Sequence, residues 1–261
     1  MLVDSHCHLN YEGLVDDQPA VLARARAAGV ATMLNISTRE REWKSVVGVA
    51  EREADVWASV GIHPHEADDH AHIDTAKLVE AARHPRIVGI GETGLDYYYD
   101  HSDRAQQQLS FRAHIAAARE TGLPLIVHTR DAEEDTAAIL REEMARGGFT
   151  GVIHCFTASD AFADIALELG FYISISGIVT FKNAKALQET ARRLPVEKLL
   201  IETDSPFLAP VPHRGRPCEP AFVADTARFL ADLRGEPLEE LAAATSRNFF
   251  ALFNKAQPAT A

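Results

Sequence analysis

A chain of 261 residues is long enough for one large domain, and α/β barrels reach this size undivided. Hydrophobic residues make up 46% and charged residues 25%, the balance of a protein with a substantial core, and no stretch approaches the roughly 18 apolar residues that span a bilayer. The formal net charge of -12 excludes a protein that coats nucleic acid through a broad basic face, though not an enzyme that meets one phosphate at a time through metal ions.

Short apolar runs at 2–3, 31–36, 56–60, 87–90, 124–127, 151–153, 172–175 and 199–201 read as strands. Helix-like stretches such as 19–28, 39–53, 103–121, 133–146 and 183–194 lie between them. Helix stops stand where this reading needs them, at Gly29, Gly122-Leu123-Pro124, Gly147-Gly148 and Pro195. About eight strands, each followed by a helix, predict an α/β protein of the (β/α)8 TIM-barrel class. It is expected to be a single domain over 1–261, with a loose tail after about residue 254. A doubly wound open sheet is the alternative, but no GxGxxG follows the first strand. The amino terminus lacks the layout of a signal peptide, and three sparse cysteines (Cys7, Cys155 and Cys218) suggest no disulfide framework. A reducing cytoplasm is the expected compartment.

The strand ends carry the chemistry. Strand one runs into DSHCHLN, where His6 and His8 stand two residues apart and share one face of an extended chain. The third leads into GIHPHE with His63 and His65, and the fourth into GIGETGLDYYYD with Glu92 and Asp96. The fifth leads into LIVHTRDA with His128, the sixth into GVIHCFTAS with His154, and the eighth into LLIETDSPFLAP with Asp204. In a barrel these carboxyl ends share one rim, and that rim carries the active site. One histidine after an apolar strand is ordinarily structural. Histidines at four strand ends, joined by carboxylates at two more, instead suit Zn²⁺, Mn²⁺ and related ions. The lack of a cysteine cluster points away from a structural zinc.

In this order DSHCHL, GIHPH, GETGLDYY, PLIVHTRDA, HCFTAS and ETDSPFLAP resemble the TatD family of metal-dependent deoxyribonucleases, which are amidohydrolase-like barrels. The resemblance runs from Asp4 to about Phe253. It implies two divalent metal ions (Mg, Mn or Zn), one held by His6, His8 and Asp204 and the other by His128 and His154, with Glu92 as the bridge. It also implies DNA as the substrate, with RNA beside it, shortened from a 3′ end. No membrane and no obligate protein partner is evident. The segment PHRGRPCEP, 212–220, matches the family's loop after strand eight, except that Cys218 stands where asparagine is usual. That departure bears on local substrate affinity rather than on the metal ligands.

Two cations about 3.5–4 Å apart acidify a shared water and stabilise charge on the phosphoryl oxygens and the leaving group. Asp204 is then placed to accept the water's proton, so Glu92 and Asp204 are the expected catalytic carboxylates. His63 and His65 are assigned to substrate or to a third ion. Arg214 is assigned to a phosphate, ahead of Arg130 and Arg216. Tyr97, Tyr98 and Tyr99 read as packing before base stacking. His70, His72, His84, His101 and His114 read as surface residues. The rival reading is a small-molecule amidohydrolase or lactonase with the same centre, favoured by the acidic charge and opposed by the match over 212–220. An inert scaffold is opposed by the intact ligand positions.

Overall fold

The computed structural model describes residues 1–258. Eight parallel strands pair in sequence order: β1 (Leu2–Cys7), β2 (Val30–Asn35), β3 (Val56–Val60), β4 (Ile87–Asp96), β5 (Leu125–Arg130), β6 (Gly151–Ile153), β7 (Tyr172–Ile175) and β8 (Leu199–Ile201). The chain beyond β8 returns to β1 through a bridge between Cys7 and Ser205. The seam is dense in hydrogen bonds. The His8 amide donates to the Ser205 carbonyl at 2.8 Å, and the Asp204 amide to the His6 carbonyl at 2.9 Å. The Ser5 hydroxyl donates to the Ile201 carbonyl at 2.9 Å. The buried Asp4 carboxylate accepts from the Thr203 amide at 2.9 Å and its hydroxyl at 2.6 Å. Burial still pushes the Asp4 carboxyl up to about 8, against those bonds. The expected (β/α)8 barrel is what forms.

Nine α-helices surround the strands among the described residues: α1 (Gln18–Ala27), α2 (Trp43–Arg52), α3 (Thr75–Ala82), α4 (Arg104–Thr121), α5 (Glu133–Arg146), α6 (Asp160–Glu168), α7 (Lys185–Arg193), α8 (Val223–Arg234) and α9 (Leu238–Leu252). Helix α4 starts on Asp103, whose carboxylate accepts from the Ala105 and Gln106 amides, and stops at Gly122, which adopts φ 70°. None of these helices is long and apolar enough to cross a membrane.

The runs at 56–60, 151–153, 172–175 and 199–201 coincide with β3, β6, β7 and β8. Strands β1 and β4 extend further than apolar content suggests, because their polar continuations are buried too. Strand β4 can press against β5 only because Gly91 and Gly94 have no side chain. A Cβ on Gly91 would lie 2.6 Å from the Ile126 carbonyl oxygen, and one on Gly94 would lie 2.0 Å from that of His128. Both adopt φ near 140°, at 137° and 139°, which only glycine tolerates easily. Glu92 thus stands inside the strand, not after it.

Helix α9 closes the amino-terminal end of the barrel. Its Phe249 and Leu252, with Phe253 just beyond, pack against Val3, Leu34, Trp57, Val88, Ile126, Val152 and Leu200, one residue from each of seven strands. Asn248 donates to the Val196 and Leu199 carbonyls, the latter at the start of β8. The tail expected to be loose after about residue 254 begins packed instead, because it runs on across this end. Lys255 donates to the Ala82 and His84 carbonyls, and Ala256 is buried. The last part of that expected tail, 259–261, lies outside the described residues.

Candidate metal centre

The strand-end residues singled out from sequence meet at the carboxyl rim. On one side stand His6 from β1 and His8 just beyond it, with Asp204 from beyond β8. The two histidine Nε2 atoms lie 3.3 Å apart. Asp204 Oδ1 is 3.6 Å from His6 Nε2 and 3.3 Å from His8 Nε2. Glu92 Oε2 is 3.4 Å from His6 Nε2 and 3.9 Å from His8 Nε2. A cation with four ligands at about 2.1 Å in tetrahedral array requires ligand-to-ligand edges of about 3.4 Å. Five edges among these atoms, from 3.3 to 3.9 Å, lie close to that spacing, and His6, His8 and Glu92 form one group that could hold a cation.

The other oxygen of Glu92 faces a second set. Glu92 Oε1 is 2.7 Å from His154 Nε2 and 3.2 Å from His128 Nδ1, and those two nitrogens are 3.4 Å apart. Glu92 is therefore placed as a two-faced carboxylate, one oxygen toward each set.

Outer carboxylates decide which nitrogen of each ring is free. His128 donates from Nε2 to Asp96 Oδ2 at 3.0 Å, leaving the Nδ1 lone pair for the centre. His154 donates from Nδ1 to Glu202 Oε1 at 3.2 Å, leaving Nε2 free. A carboxylate on the far side of an imidazole is how metal-ligating histidines are ordinarily fixed. His63 reaches Glu92 Oε1 at 3.5 Å and stands within ligand distance of the second set. Its tautomer argues against ligation, however. Its Nδ1 accepts from the His65 amide at 3.1 Å, so the neutral ring carries its proton on Nε2. His63 presents a donor to the centre. His65 donates to Asp96 Oδ2 at 2.9 Å and sits farther out, with its side chain 26% exposed.

The electrostatics follow from packing five imidazole rings, three of them buried, against the inner and outer carboxylates. Burial works against the charge on Glu92, but His154, His63, His6 and His128 outweigh it and hold the carboxyl well below its usual range. Asp204 behaves alike, held low by the His8 bond and the nearby His6 and His154 despite its burial. Burial opposes the imidazolium of His154, yet Glu92 and Glu202 raise it well above normal. His6 and His63 are instead pushed down, chiefly by burial. The Nδ1 atoms of His6 and His8 and Oε2 of Glu202 are buried with no hydrogen-bond partner. So many ionisable donors in one dry pocket fit a divalent cation better than they fit each other.

Other expectations sort by position. Arg214 is not brought to the six donors; its guanidinium lies 3.7 Å over the Phe181 ring. Cys218 is buried, and its backbone amide ties the loop to the Pro206 carbonyl at 2.9 Å, a bond that any residue but proline supplies there. Tyr97 packs, its hydroxyl donating to Asp135 at 2.7 Å, whereas Tyr98 and Tyr99 are exposed. His114, read as a surface residue, is completely buried on α4, because both its nitrogens find backbone partners, Ile62 N and Ser110 O. The orienting roles of Glu202 and Asp96 escaped the sequence reading. The signal for Glu202 was its spacing two residues before Asp204 at the end of an apolar run.

A family model of TatD-related DNases matches residues 3–254 of the chain. The chain is 47% identical over 256 residues to an Escherichia coli (strain K12) protein named uncharacterized metal-dependent hydrolase YcfH, covering 97% of this chain and 96% of that one. It is 35% identical over 259 residues to the 3′-5′ ssDNA/RNA exonuclease TatD of Erwinia tasmaniensis, covering 97% and 100% of the two chains. Among solved structures it superposes on the TatD homologue YjjV of Escherichia coli K12 with a TM-score of 0.90 and 30% identity, covering 97% of this chain and 98% of that one.

Proposed function

This chain belongs to the TatD-related DNase family and is a metal-dependent hydrolase, and from that premise we propose that it hydrolyses DNA phosphodiester bonds, removing nucleotides from a 3′ end, with RNA as a further substrate. One observation carries the proposal: Glu92 turns one carboxylate oxygen toward His6 and His8 and the other toward His128 and His154. In this reading His6, His8 and Asp204 hold one divalent cation, His128 and His154 hold a second, and Glu92 serves both. The name of the Erwinia relative supports the choice of nucleic acid and of polarity.

Bound cations (Mg²⁺, Mn²⁺ or Zn²⁺) supply Lewis acidity toward phosphoryl oxygens and make a water acidic enough to react near neutral pH. The chain's own residues do the rest. Asp96 and Glu202 hold His128 and His154 in the tautomers that face inward. Asp204 is the more open of the two inner carboxylates, 15% exposed against 4% for Glu92, and takes the proton from the attacking water. His63 offers its Nε2 proton to a substrate oxygen, with His65 beside it. Arg214, its guanidinium over Phe181, keeps its edge N–H groups for a phosphate of the substrate away from the donor sets. The work is placed in the cytoplasm, which the three free thiols support.

The test is to incubate single-stranded DNA, labelled at either end, with purified protein and Mg²⁺ or Mn²⁺. Shortening from the 3′ end is expected. The net charge of -12 favours one rival, a small-molecule amidohydrolase or lactonase on the same centre. Turnover of N-acyl amino acids or lactones, with the DNA left whole, would install that rival.

A further inference from the structure

The mouth of the centre gathers the exposed aromatic rings. Among the described residues, Tyr98, Tyr99 and Phe207 are the aromatic side chains classed as exposed, at 57%, 49% and 49% of full accessibility, and all three stand at this rim. Aromatic rings left in water in a chain with an ample core need a reason, and their distribution supplies one. They form two walls, one beside each donor set.

The first wall adjoins His8. Tyr11 stacks on the His8 ring at 4.6 Å between centroids, pinned by a 2.6 Å bond from its hydroxyl to that of Thr38. Phe207 stands edge-on to both, 6.0 Å from Tyr11 and 6.3 Å from His8. The turn that begins at Asp204 holds it there, through a 2.9 Å bond from the Phe207 amide to the Asp204 carbonyl. The second wall adjoins His65 and His128. Tyr99 meets His65 at 5.3 Å and stacks on His101 at 5.5 Å. The guanidinium of Arg130 lies over Tyr98 at 4.1 Å and over Tyr99 at 4.9 Å. A guanidinium lying over a ring keeps its edge N–H groups for a phosphate.

We propose that these walls are two nucleobase subsites flanking the scissile bond: one base stacks on Phe207, with Tyr11 perpendicular to it at its edge, its neighbour stacks on Tyr98, with Tyr99 perpendicular beside it, and Arg130 meets the adjoining phosphate. The inference rests on the nuclease reading above. A diester phosphate seated across both donor sets sends one nucleoside toward each side, which is where the walls stand. Aromatic faces take every base alike, so the subsites impose little sequence preference. They do require bases that are unpaired and free to turn outward. An intact duplex keeps its bases stacked within itself, so the strand taken must be single or frayed.

The experiment is a cycle between enzyme and substrate with the manganese-loaded protein. Thymidine oligonucleotides carry an abasic tetrahydrofuran residue at the 3′-terminal or the penultimate position. KM and kcat are measured for the wild type, Phe207→Ala and the double variant Tyr98→Ala/Tyr99→Ala. Each lost stack is expected to raise KM about 5- to 100-fold and to change kcat less. Each variant should lose its effect on one of the two abasic substrates and keep it on the other, the two variants choosing opposite positions. Phe207→Trp should restore the wild-type pattern. Variant effects that are equal on all three substrates, or that fall on the same position for both, would overturn the two subsites. So would wild-type cleavage indifferent to the abasic residues. Failure of the metal-loaded wild type to cleave any oligonucleotide would instead remove the nuclease reading, and the subsites with it.

Discussion

The two ends of this barrel follow opposite rules. At the amino end, Phe249, Leu252 and Phe253 meet Val3, Trp57, Val88, Ile126, Val152 and Leu200 in an apolar plug. At the carboxyl end, the side chains taken out of water are His6, His8, Glu92, His154 and Glu202. The backbone differs in the same sense. The non-glycine residues with positive φ among those described (Asp100, Asp131, Cys155, Asp204 and Leu208) all lie in loops that follow β4, β5, β6 or β8. Such conformations cost on the order of 1–3 kcal/mol each and survive only where the surroundings enforce them. Burial at one end therefore offsets strain and crowded charge at the other. The seam bonds that tie Asp204 and Ser205 to His6 and His8 help hold that strained rim in place.

Metal removal should break this contrast most severely. With the cations stripped by exhaustive chelation, and their absence verified by mass spectrometry, hydrolysis is expected to vanish and to return with Mg²⁺, Mn²⁺ or Zn²⁺. The far-ultraviolet circular dichroism should stay that of a barrel. Thermal stability should fall as the ligand-binding contribution is lost. Persistent hydrolysis without metal would take the chemistry away from the donor sets.

Within the rim, the two inner carboxylates should part company. Asp204→Asn keeps shape and a weaker ligand oxygen but loses the proton acceptor, so turnover should drop roughly 10²–10⁴-fold while at least one cation stays bound. Glu92→Gln should lose metal and rate together, since one neutral amide would face both sets. Metal stoichiometry set beside kcat separates these outcomes. Near wild-type turnover in fully loaded Asp204→Asn would give the proton another acceptor.

The same contrast explains what the sequence disclosed. Strand order, the barrel and the convergence of His6, His8, Glu92, His128, His154 and Asp204 were legible because the chemistry sits at fixed places relative to apolar runs. Tautomers were not legible. Whether His63 ligates or donates depends on a single bond from the His65 amide to its Nδ1, and no residue spacing reports that. The extent of β4 was also hidden, because its last six residues are polar or glycine-rich in sequence yet buried in the fold. The role of Glu202 is hidden in sequence because a carboxylate completely out of water is rare unless it is paired, and its partners, His154 and the Cys155 amide, lie 48 and 47 residues away.

The amino-end plug gives the reciprocal prediction. Phe249 is completely buried among Phe250, Phe253 and the inner strand residues. Phe249→Ala should cost about 3–5 kcal/mol of unfolding free energy, the usual penalty for a cavity of that size. Urea unfolding measures it. Metal affinity and KM of the folded fraction should be unchanged. A shift in metal affinity of tenfold or more would mean that the two ends are coupled through the barrel.

The smallest effect separates a histidine of the wall from those of the rim. His114 on α4 accepts the Ile62 amide at Nε2, 2.9 Å away, and donates from Nδ1 to the Ser110 carbonyl at 2.7 Å. Both nitrogens are committed in the neutral ring, and a second proton would break the Ile62 bond. Burial accordingly lowers its pKa from 6.5 to about 4, with the Ser110 bond opposing only in part. The folded value lies below the unfolded one, so the unfolded chain binds the extra proton first as pH falls. This contribution is whole above about pH 6.5 and is lost between there and about pH 4, amounting to about 3 kcal/mol. His8, His128 and His154 are raised and so carry the opposite sign, adding stability at low pH that fades as pH rises. Comparing wild type with His114→Gln cancels those rim terms. The stability gap between the two proteins, read from urea unfolding, should narrow by about 3 kcal/mol from pH 7 to pH 4. A gap that stays constant over that range would mean that His114 takes up its proton inside the fold, and that the Ile62 bond is not what holds it neutral.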